Sequence, residues 1–165
     1  MTASKVQIRF AQRQDCKLIL DFITQLAIYE KLEHEVSATV EALQNTLFGE
    51  KPHAEVVILE EQQRPVGFAL FFHNYSTFLA QPGLYLEDLF VLPEYRGKGY
   101  GTLLLSFLAD LAVQRDCGRF EWSVLDWNTP ALRVYERLGA LPMSEWTSQR
   151  LTGEALQKLA ESYRK

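Results

Sequence analysis

Cysteines, long apolar runs and an excess of positive charge are scarce or missing in this 165-residue chain. Its two cysteines, Cys16 and Cys117, are too few for a disulfide scaffold and wrongly spaced for a zinc site, so we expect reduced, structural thiols. No run approaches the roughly 20 apolar residues that a membrane span needs, and the N-terminal residues lack the apolar segment of a secretion signal. We therefore predict a cytoplasmic protein that does not bind membranes.

The balance of charge is acidic, because 17 lysines and arginines stand against 21 aspartates and glutamates, which gives a net charge of −4. No global positive field is available to hold a nucleic-acid backbone, so we exclude that partner and expect a small cationic one. The hydrophobic share of 47% and the charged share of 23% are ordinary for a globular protein. No repeat, low-complexity run or linker interrupts the chain, and we predict a single domain over residues 1–165.

Hydrophobic periodicity predicts strands and helices in mixed order. Predicted strands cover 6–10, 55–60, 66–73, 84–92, 120–125 and 145–151. Helices are predicted from Asp15 as N-cap, from Ser37 or Thr39 to a positive-φ Gly49, after the glycine turn, from a Thr129 cap to Gly139, and over 153–162. A polar link over 61–65 is predicted to join a hairpin, and 75–83 is predicted as a loop. This order predicts an α/β or α+β fold with a mixed sheet.

Three glycines at alternate positions, Gly97, Gly99 and Gly101, lie between a predicted strand and an amphipathic helix. Such a turn lets a ligand approach the backbone and leaves the first helical N–H groups pointing outward, which favours an anion such as phosphate. Arg96 and Lys98 add positive charge. The spacing fits neither a Walker A loop nor a dinucleotide fingerprint. A surface turn that binds nothing is the alternative.

The segment Arg96–Gly101 fits the R/Q-x-x-G-x-G/A signature of the GNAT superfamily of N-acetyltransferases. The wider pattern resembles its spermidine/spermine (diamine) N-acetyltransferase branch, and this resemblance covers about Ile8 to Leu159. The matching segments are Tyr29-Glu30, Tyr85-Leu86-Glu87-Asp88, Phe90-Val91, Tyr95-Arg96-Gly97, Trp127-Asn128, Tyr135 and Gly139-Ala140.

The resemblance implies a GNAT-type fold, with a mixed, largely antiparallel and splayed central sheet flanked by helices. The strand that carries Glu87–Leu92 is expected to part from the next strand and expose backbone to the pantetheine arm of acetyl-CoA, with no metal involved. A homodimer is also implied, with Trp146 and Leu151 as candidate contacts. The implied coenzyme-binding residues are Leu89, Phe90, Val91, Arg96, Gly97, Lys98, Gly99, Tyr100, Gly101, Thr102, Asn128, Thr129, Pro130 and Ala131.

Two adjacent acids, Glu87 and Asp88, lie inside an apolar strand, where a regular pleat sends them to opposite faces and an unpaired buried carboxylate is costly. The resemblance makes Glu87 the group that accepts the amine proton through water and gives Asp88 a part in holding the cationic substrate. It makes Tyr135 the general acid for the leaving thiolate. The alternatives are a structural acid pair and a core tyrosine that shares a helix face with Leu132 and Leu138.

Further residues match the acceptor side of the family's site: Tyr29, Glu30, Glu121, Trp122 and Ser123. The loop Ser76–Gly83 lacks the acidic residue of the polyamine enzymes, which leaves room for a lysine-like or thialysine-like amine. Neither cysteine has a histidine near it in sequence, so we expect direct attack on the thioester in a ternary complex. The sequence thus predicts an acetyl-CoA-dependent N-acetyltransferase for a small primary amine. The alternatives are acetylation of a peptide lysine or an antibiotic amine, and a non-catalytic acyl-CoA-binding module.

Overall fold

In the part of the chain that the structure describes, five strands make one sheet in the order β1-β2-β3-β4-β5. The computed structural model describes residues 5–163. The strands are β1 (Val6–Phe10), β2 (Glu55–Glu61), β3 (Arg64–Ser76), β4 (Gln81–Val91) and β5 (Arg119–Trp122). Neighbours from β1 to β4 are antiparallel, whereas β4 and β5 are parallel. The prediction of a mixed, largely antiparallel sheet is confirmed.

Five α-helices accompany the strands in the described residues, and the chain falls into two compact units, Met1–Leu125 and Asp126–Lys165. The first unit holds the sheet with α1 (Cys16–Glu30), α2 (Val40–Phe48) and α3 (Tyr100–Gln114), and the second holds α4 (Thr129–Arg137) and α5 (Gly153–Tyr163). Among residues 5–163, no helix combines the length and apolar character needed to cross a membrane.

Aromatic side chains fix helices on both faces of the sheet. On one face Phe22 of α1 stacks on Phe68 of β3 with 5.3 Å between ring centres, inside a cluster of buried apolar side chains. On the other face Phe107 of α3 meets Phe10 of β1 edge-on at 6.2 Å. Burying one such ring stabilises the fold by about 2 to 3 kcal/mol. The sheet therefore has a helix layer on each side, with β4 between α1 and α3.

The helix ends follow the predicted capping only in part. Thr39 is the N-cap of α2, since its hydroxyl accepts from the Ala42 N–H at 3.1 Å. Asp15 is the N-cap residue of α1 as predicted, but its carboxylate is bound by Arg9 at 2.8 and 3.0 Å and makes no side-chain hydrogen bond to the helix end. Gly49 has φ of −78°, not the predicted positive value, and glycine is needed there because a Cβ would collide with the Asn45 carbonyl oxygen.

The loops are shorter than the sequence pattern indicated, because polar residues at their ends extend the pairing between neighbouring strands. Gln62 and Gln63, with φ of 52° and 66°, make a two-residue turn between β2 and β3, and Glu61 pairs with Arg64. Pairing of β3 with β4 continues to Ser76 and Gln81, which leaves residues 77–80 as the loop. β5 ends at Trp122, earlier than predicted.

The second unit corrects two predictions. Asn128, not Thr129, caps α4, because its side-chain oxygen accepts from the Ala131 N–H. Gly139 has φ of 82° and ends that helix as predicted. The segment 145–151 is not a strand; it begins in a turn in which the Trp146 N–H donates to the Met143 carbonyl oxygen. Among its described residues this unit contains no strand to supply ladder hydrogen bonds.

Candidate active site

The glycine turn joins β4 to α3 and leaves open space above its backbone. Gly97 and Gly99 have φ of 78° and 81°, a conformation that glycine adopts without strain, and a Cβ on either would meet nothing within 4 Å. No side chain caps the N-terminus of α3, which begins at Tyr100. The first N–H groups of the helix therefore form the kind of donor set that binds phosphate groups.

The two cations of the turn have protein partners. Arg96 donates from Nε to the Val91 carbonyl oxygen at 2.9 Å, and its guanidinium lies 4.9 Å from the ring centre of Tyr29 and 5.3 Å from that of Phe90. Lys98 donates from Nζ to both carboxylate oxygens of Glu61, at 3.1 and 3.2 Å. Both residues were predicted to supply charge to a phosphate, and the structure places their cationic groups on these partners.

A β-bulge sets the direction of the adjacent acids. Leu70 pairs with Asp88 and Phe71 pairs with Leu86, so Glu87 is the extra residue on β4. Leu86 and Leu89 are three positions apart, but the bulge lets both side chains point to the same face of the sheet as their partners on β3. Glu87 and Asp88 therefore share the opposite face, the one covered by α1, and the prediction that they point to opposite faces is wrong.

The carboxylates of Glu87 and Asp88 are joined by a third, that of Glu30, the last residue of α1. Burial first, and then the negative charges of Glu87 and Glu30, raise the pKa of Asp88 from 3.8 to about 6. Burial also raises the pKa of Glu30. Like charges in a half-buried position are unfavourable without a cation. The arrangement is thus suited to an ammonium group between the end of α1 and the bulge of β4.

β4 has an open edge beside these acids. β5 pairs with β4 only over Gly83–Leu86, and from Glu87 to Val91 the described strands offer β4 a neighbour on the β3 side alone. The backbone of Leu89 and Phe90 thus lies where β4 and β5 separate, as the family resemblance implies. This unpaired stretch of β4 lies between the acids and the glycine turn, so an extended ligand can run along it from one to the other.

The residues predicted on β5 have local partners. Glu121 forms an ion pair with Arg119 Nε at 2.6 Å and accepts a hydrogen bond from Asn74 at 3.3 Å, so much of its charge is already neutralised. The hydroxyls of Ser123 and Tyr85 are 2.8 Å apart. Trp122 pairs with Leu86, the residue before Glu87. Glu121 pairs with Tyr85 and so lies on the face of the three acids, whereas Trp122 lies with Leu86 on the opposite face.

The structure brings together Tyr29, Glu30, Glu87, Asp88 and Arg96 in the first unit. The predicted general acid Tyr135 lies on α4 of the second unit, as do Thr129, Pro130 and Ala131, while Asn128 caps that helix. Sequence reasoning missed Glu61, which binds two residues of the turn, Lys98 and Tyr100. Its only signal is an acid before the Gln62-Gln63 turn, which many surface hairpins share.

Comparison with known proteins agrees with this geometry. Residues 20–140 match the Acetyltransferase (GNAT) family. The chain is 38% identical to a mouse protein named thialysine N-epsilon-acetyltransferase, over 95% of this chain and 98% of the mouse protein. It is 33% identical to the human spermidine/spermine N(1)-acetyltransferase-like protein 1, over 93% of this chain and 24% of the human protein.

A solved structure matches the fold as a whole. An integron cassette protein from the mobile metagenome of V. cholerae superposes with a TM-score of 0.80 at 27% identity. The alignment covers 96% of this chain and 99% of the cassette protein. The fold described above is therefore similar to that of a solved structure.

Proposed function

The chain belongs to the GNAT acetyltransferase family, in its diamine acetyltransferase branch, and is an N-acetyltransferase; from this premise we propose that it acetylates the terminal amine of a lysine-like or thialysine-like acceptor, with acetyl-CoA as donor. The observation that carries the proposal is the cluster of Glu30, Glu87 and Asp88 at the open edge of β4. A diamine or polyamine is the second candidate, favoured by the same acidic cluster and by the name of the human relative.

Each part of the donor has a proposed place on the chain. The N–H groups of 97–102 bind its diphosphate, and the exposed backbone of Leu89, Phe90 and Val91 binds the pantetheine arm. Asn128–Ala131 are the further coenzyme-binding residues that the family resemblance implies. The support is the positive φ of Gly97 and Gly99, the uncapped start of α3 and the early end of β5.

The acceptor must be deprotonated before it reacts. An alkyl ammonium with a pKa near 10.4 loses its proton at pH 7.4 at a cost of about 4 kcal/mol. Glu87, the exposed member of the acid pair, accepts this proton through a water molecule, while Asp88 and Glu30 hold the cationic chain. The amine nitrogen then bonds to the acetyl carbonyl carbon and the C–S bond breaks. Tyr135 donates its hydroxyl proton to the departing thiolate.

Direct transfer in a ternary complex is preferred to a covalent acetyl-cysteine. Cys16 is fully buried in the core between α1 and the sheet. Burial raises the pKa of the thiols of both Cys16 and Cys117, so little thiolate forms at neutral pH. Neither sulfur is therefore suited to attack a thioester.

The acceptor is tested by coenzyme A release with thialysine, lysine, putrescine, spermidine and a histone-tail peptide compared side by side. We expect thialysine and lysine to have the highest kcat/KM, because their α-carboxylate neutralises the second ammonium group, whereas that of a diamine finds no acid in the segment Ser76–Gly83. Preference for the peptide, or no release with any small amine, would overturn the proposed acceptor.

The proposal also includes a cytoplasmic homodimer in which Trp146 and Leu151 contact the partner. Light scattering after sizing chromatography tests the oligomeric state. A dimer mass at micromolar concentration supports the proposal, and a monomer mass contradicts it.

A further inference from the structure

Glu61, the last residue of β2, binds the glycine turn through two side chains. Both of its carboxylate oxygens accept hydrogen bonds from Lys98 Nζ, and one also accepts from the Tyr100 hydroxyl. The Glu61 side chain is only 14% exposed. Glu61 raises the pKa of Tyr100 to about 12, so the phenol keeps its proton and remains a donor. The contact spans 37 and 39 positions of the chain, and it joins the β2–β3 hairpin to the turn.

The turn needs such an attachment because of its own composition. Lys98 lies between two glycines with positive φ, and a Cβ on either glycine would meet nothing within 4 Å, so packing does not hold the backbone there. Glycine has more accessible conformations than any other residue. Lys98 Nζ also lies 4.9 Å from the ring centre of Tyr95. The side chains of 98 and 100 thus connect the flexible part of the turn to the sheet.

The charge of Glu61 is the wrong sign for the proposed ligand. A carboxylate beside a diphosphate site repels the anion, and it also occupies a lysine that otherwise adds to the attraction. If Glu61 acted only through its charge, its removal would strengthen the binding of the diphosphate. We therefore explain its position by the hydrogen bonds that it makes to the turn.

We infer that Glu61 is a positioning residue for the coenzyme, which holds residues 97–100 in their binding conformation through Lys98 and Tyr100. The inference rests on the proposed function, since it concerns the turn assigned to the diphosphate. A preorganised turn loses less conformational freedom when the ligand binds, and removal of the attachment weakens binding. Electrostatics alone gives the opposite sign, so the direction of the change decides between the two.

The test is the dissociation constant of coenzyme A, measured by calorimetry for wild type, Glu61→Ala and Tyr100→Phe. We expect Glu61→Ala to raise the constant by about tenfold, the equivalent of about 1.4 kcal/mol. Tyr100→Phe, which removes one attachment without changing the charge, is expected to raise it by about threefold, within the range of one hydrogen bond. An unchanged or lower constant in both variants overturns the inference.

Glu55→Ala is the matched control, because Glu55 is an acid at the other end of β2. It pairs with both terminal nitrogens of Arg115, at 2.5 and 2.9 Å, away from the turn. Its loss removes a comparable ion pair from the same strand and is expected to leave the dissociation constant within about twofold of wild type. An equal weakening in Glu55→Ala and Glu61→Ala would show a general loss of stability and would contradict a positioning role.

A donor without the diphosphate separates positioning from other effects. Glu61→Ala is expected to raise the KM for acetyl-CoA, while the KM for S-acetylpantetheine and for the amine stay at wild-type values. Tyr100→Phe gives the same comparison if the alanine variant folds poorly. Coenzyme A that binds wild type and Glu61→Ala equally overturns this inference alone. Coenzyme A that does not bind wild type overturns the proposed function as well.

Discussion

The guanidinium of Arg96 lies 4.9 Å from the ring centre of Tyr29, so a residue of the glycine turn packs on a residue of the proposed acceptor site. Arg96 also donates to the Val91 carbonyl oxygen at 2.9 Å, next to the open edge of β4. One planar side chain therefore contacts α1, β4 and the turn. This contact connects the places proposed for the donor and the acceptor within the first unit.

Arg96→Lys is expected to raise the KM for the acceptor and for acetyl-CoA together, because lysine keeps the charge but cannot both stack and donate through Nε. The expected loss in the free energy of unfolding is about 1 kcal/mol, from the stack and the hydrogen bond. Steady-state kinetics and urea unfolding measure both quantities. Arg64→Lys is the control, since Arg64 stacks on Tyr95 at the longer distance of 5.7 Å. A change in only one KM would contradict the connection.

The half-buried acid Asp88 is expected to make stability fall as pH rises. Its pKa is raised from 3.8 to about 6, chiefly by burial, so between these pH values the folded chain keeps a proton that the unfolded chain has released. The free energy of unfolding therefore decreases across this window and stays lower above it. Asp88→Asn removes the effect, and its gain in stability at pH 8 is expected to exceed that at pH 5 by about 1 to 2 kcal/mol.

Urea unfolding at pH 5 and pH 8 measures this difference. Asp21→Asn serves as the control because Asp21 is an exposed acid on α1, and a surface change of this kind is expected to alter stability by less than about 0.5 kcal/mol at either pH. A pH-independent effect of Asp88→Asn would contradict the assigned burial of the charge. Loss of activity together with increased stability at pH 8 would be typical of a residue kept for function.

Glu87→Gln tests the proposed proton acceptor. A glutamine cannot take a proton from the water that contacts the amine, so we expect kcat/KM to fall most at low pH and with amines of high pKa. Acceptors whose amines have a lower pKa should lose less. The measurement is the pH dependence of kcat/KM with two such acceptors. If Glu87→Gln leaves the profile unchanged while Asp88→Asn alters it, the proton acceptor is Asp88.

The glycine turn and the acids could be found in the sequence because each depends on neighbouring residues. Spacing alone places Gly97 and Gly99 before an amphipathic helix, and both have the positive φ that glycine permits. The direction of Glu87 could not be found in this way. It depends on a bulge in β4. The position of that bulge is fixed by the register of β4 against β3, which lies elsewhere in the sequence.

Contacts between distant parts of the chain account for the other misses. Glu61 meets Lys98 across 37 positions of the chain, and no local pattern marks that contact. Asp15 is the N-cap residue of α1, but its carboxylate pairs with Arg9 on β1 and makes no side-chain hydrogen bond to the helix end. Local propensity was overridden in both cases by an ion pair that exists only after the sheet has formed.

Tyr135→Phe tests the proposed general acid on α4. Phenylalanine keeps the ring but cannot protonate the leaving thiolate, so kcat is expected to fall by about 100-fold, the lower end of the range for a general acid. The dissociation constant of coenzyme A, measured by calorimetry, is expected to stay within about twofold because the ring still packs as before. A catalytic role for Tyr135 thus predicts a loss of turnover without a loss of coenzyme A binding.

Tyr163→Phe is the matched control, since Tyr163 ends α5 in the same unit and has no assigned role. It is expected to leave both kcat and coenzyme binding at wild-type values. The alternative for Tyr135 is a packing role beside Leu132 and Leu138, which predicts that its phenylalanine variant keeps full turnover, because only an oxygen atom is lost. A kcat within about threefold of wild type would therefore assign Tyr135 to packing. Solvent would then protonate the departing thiolate.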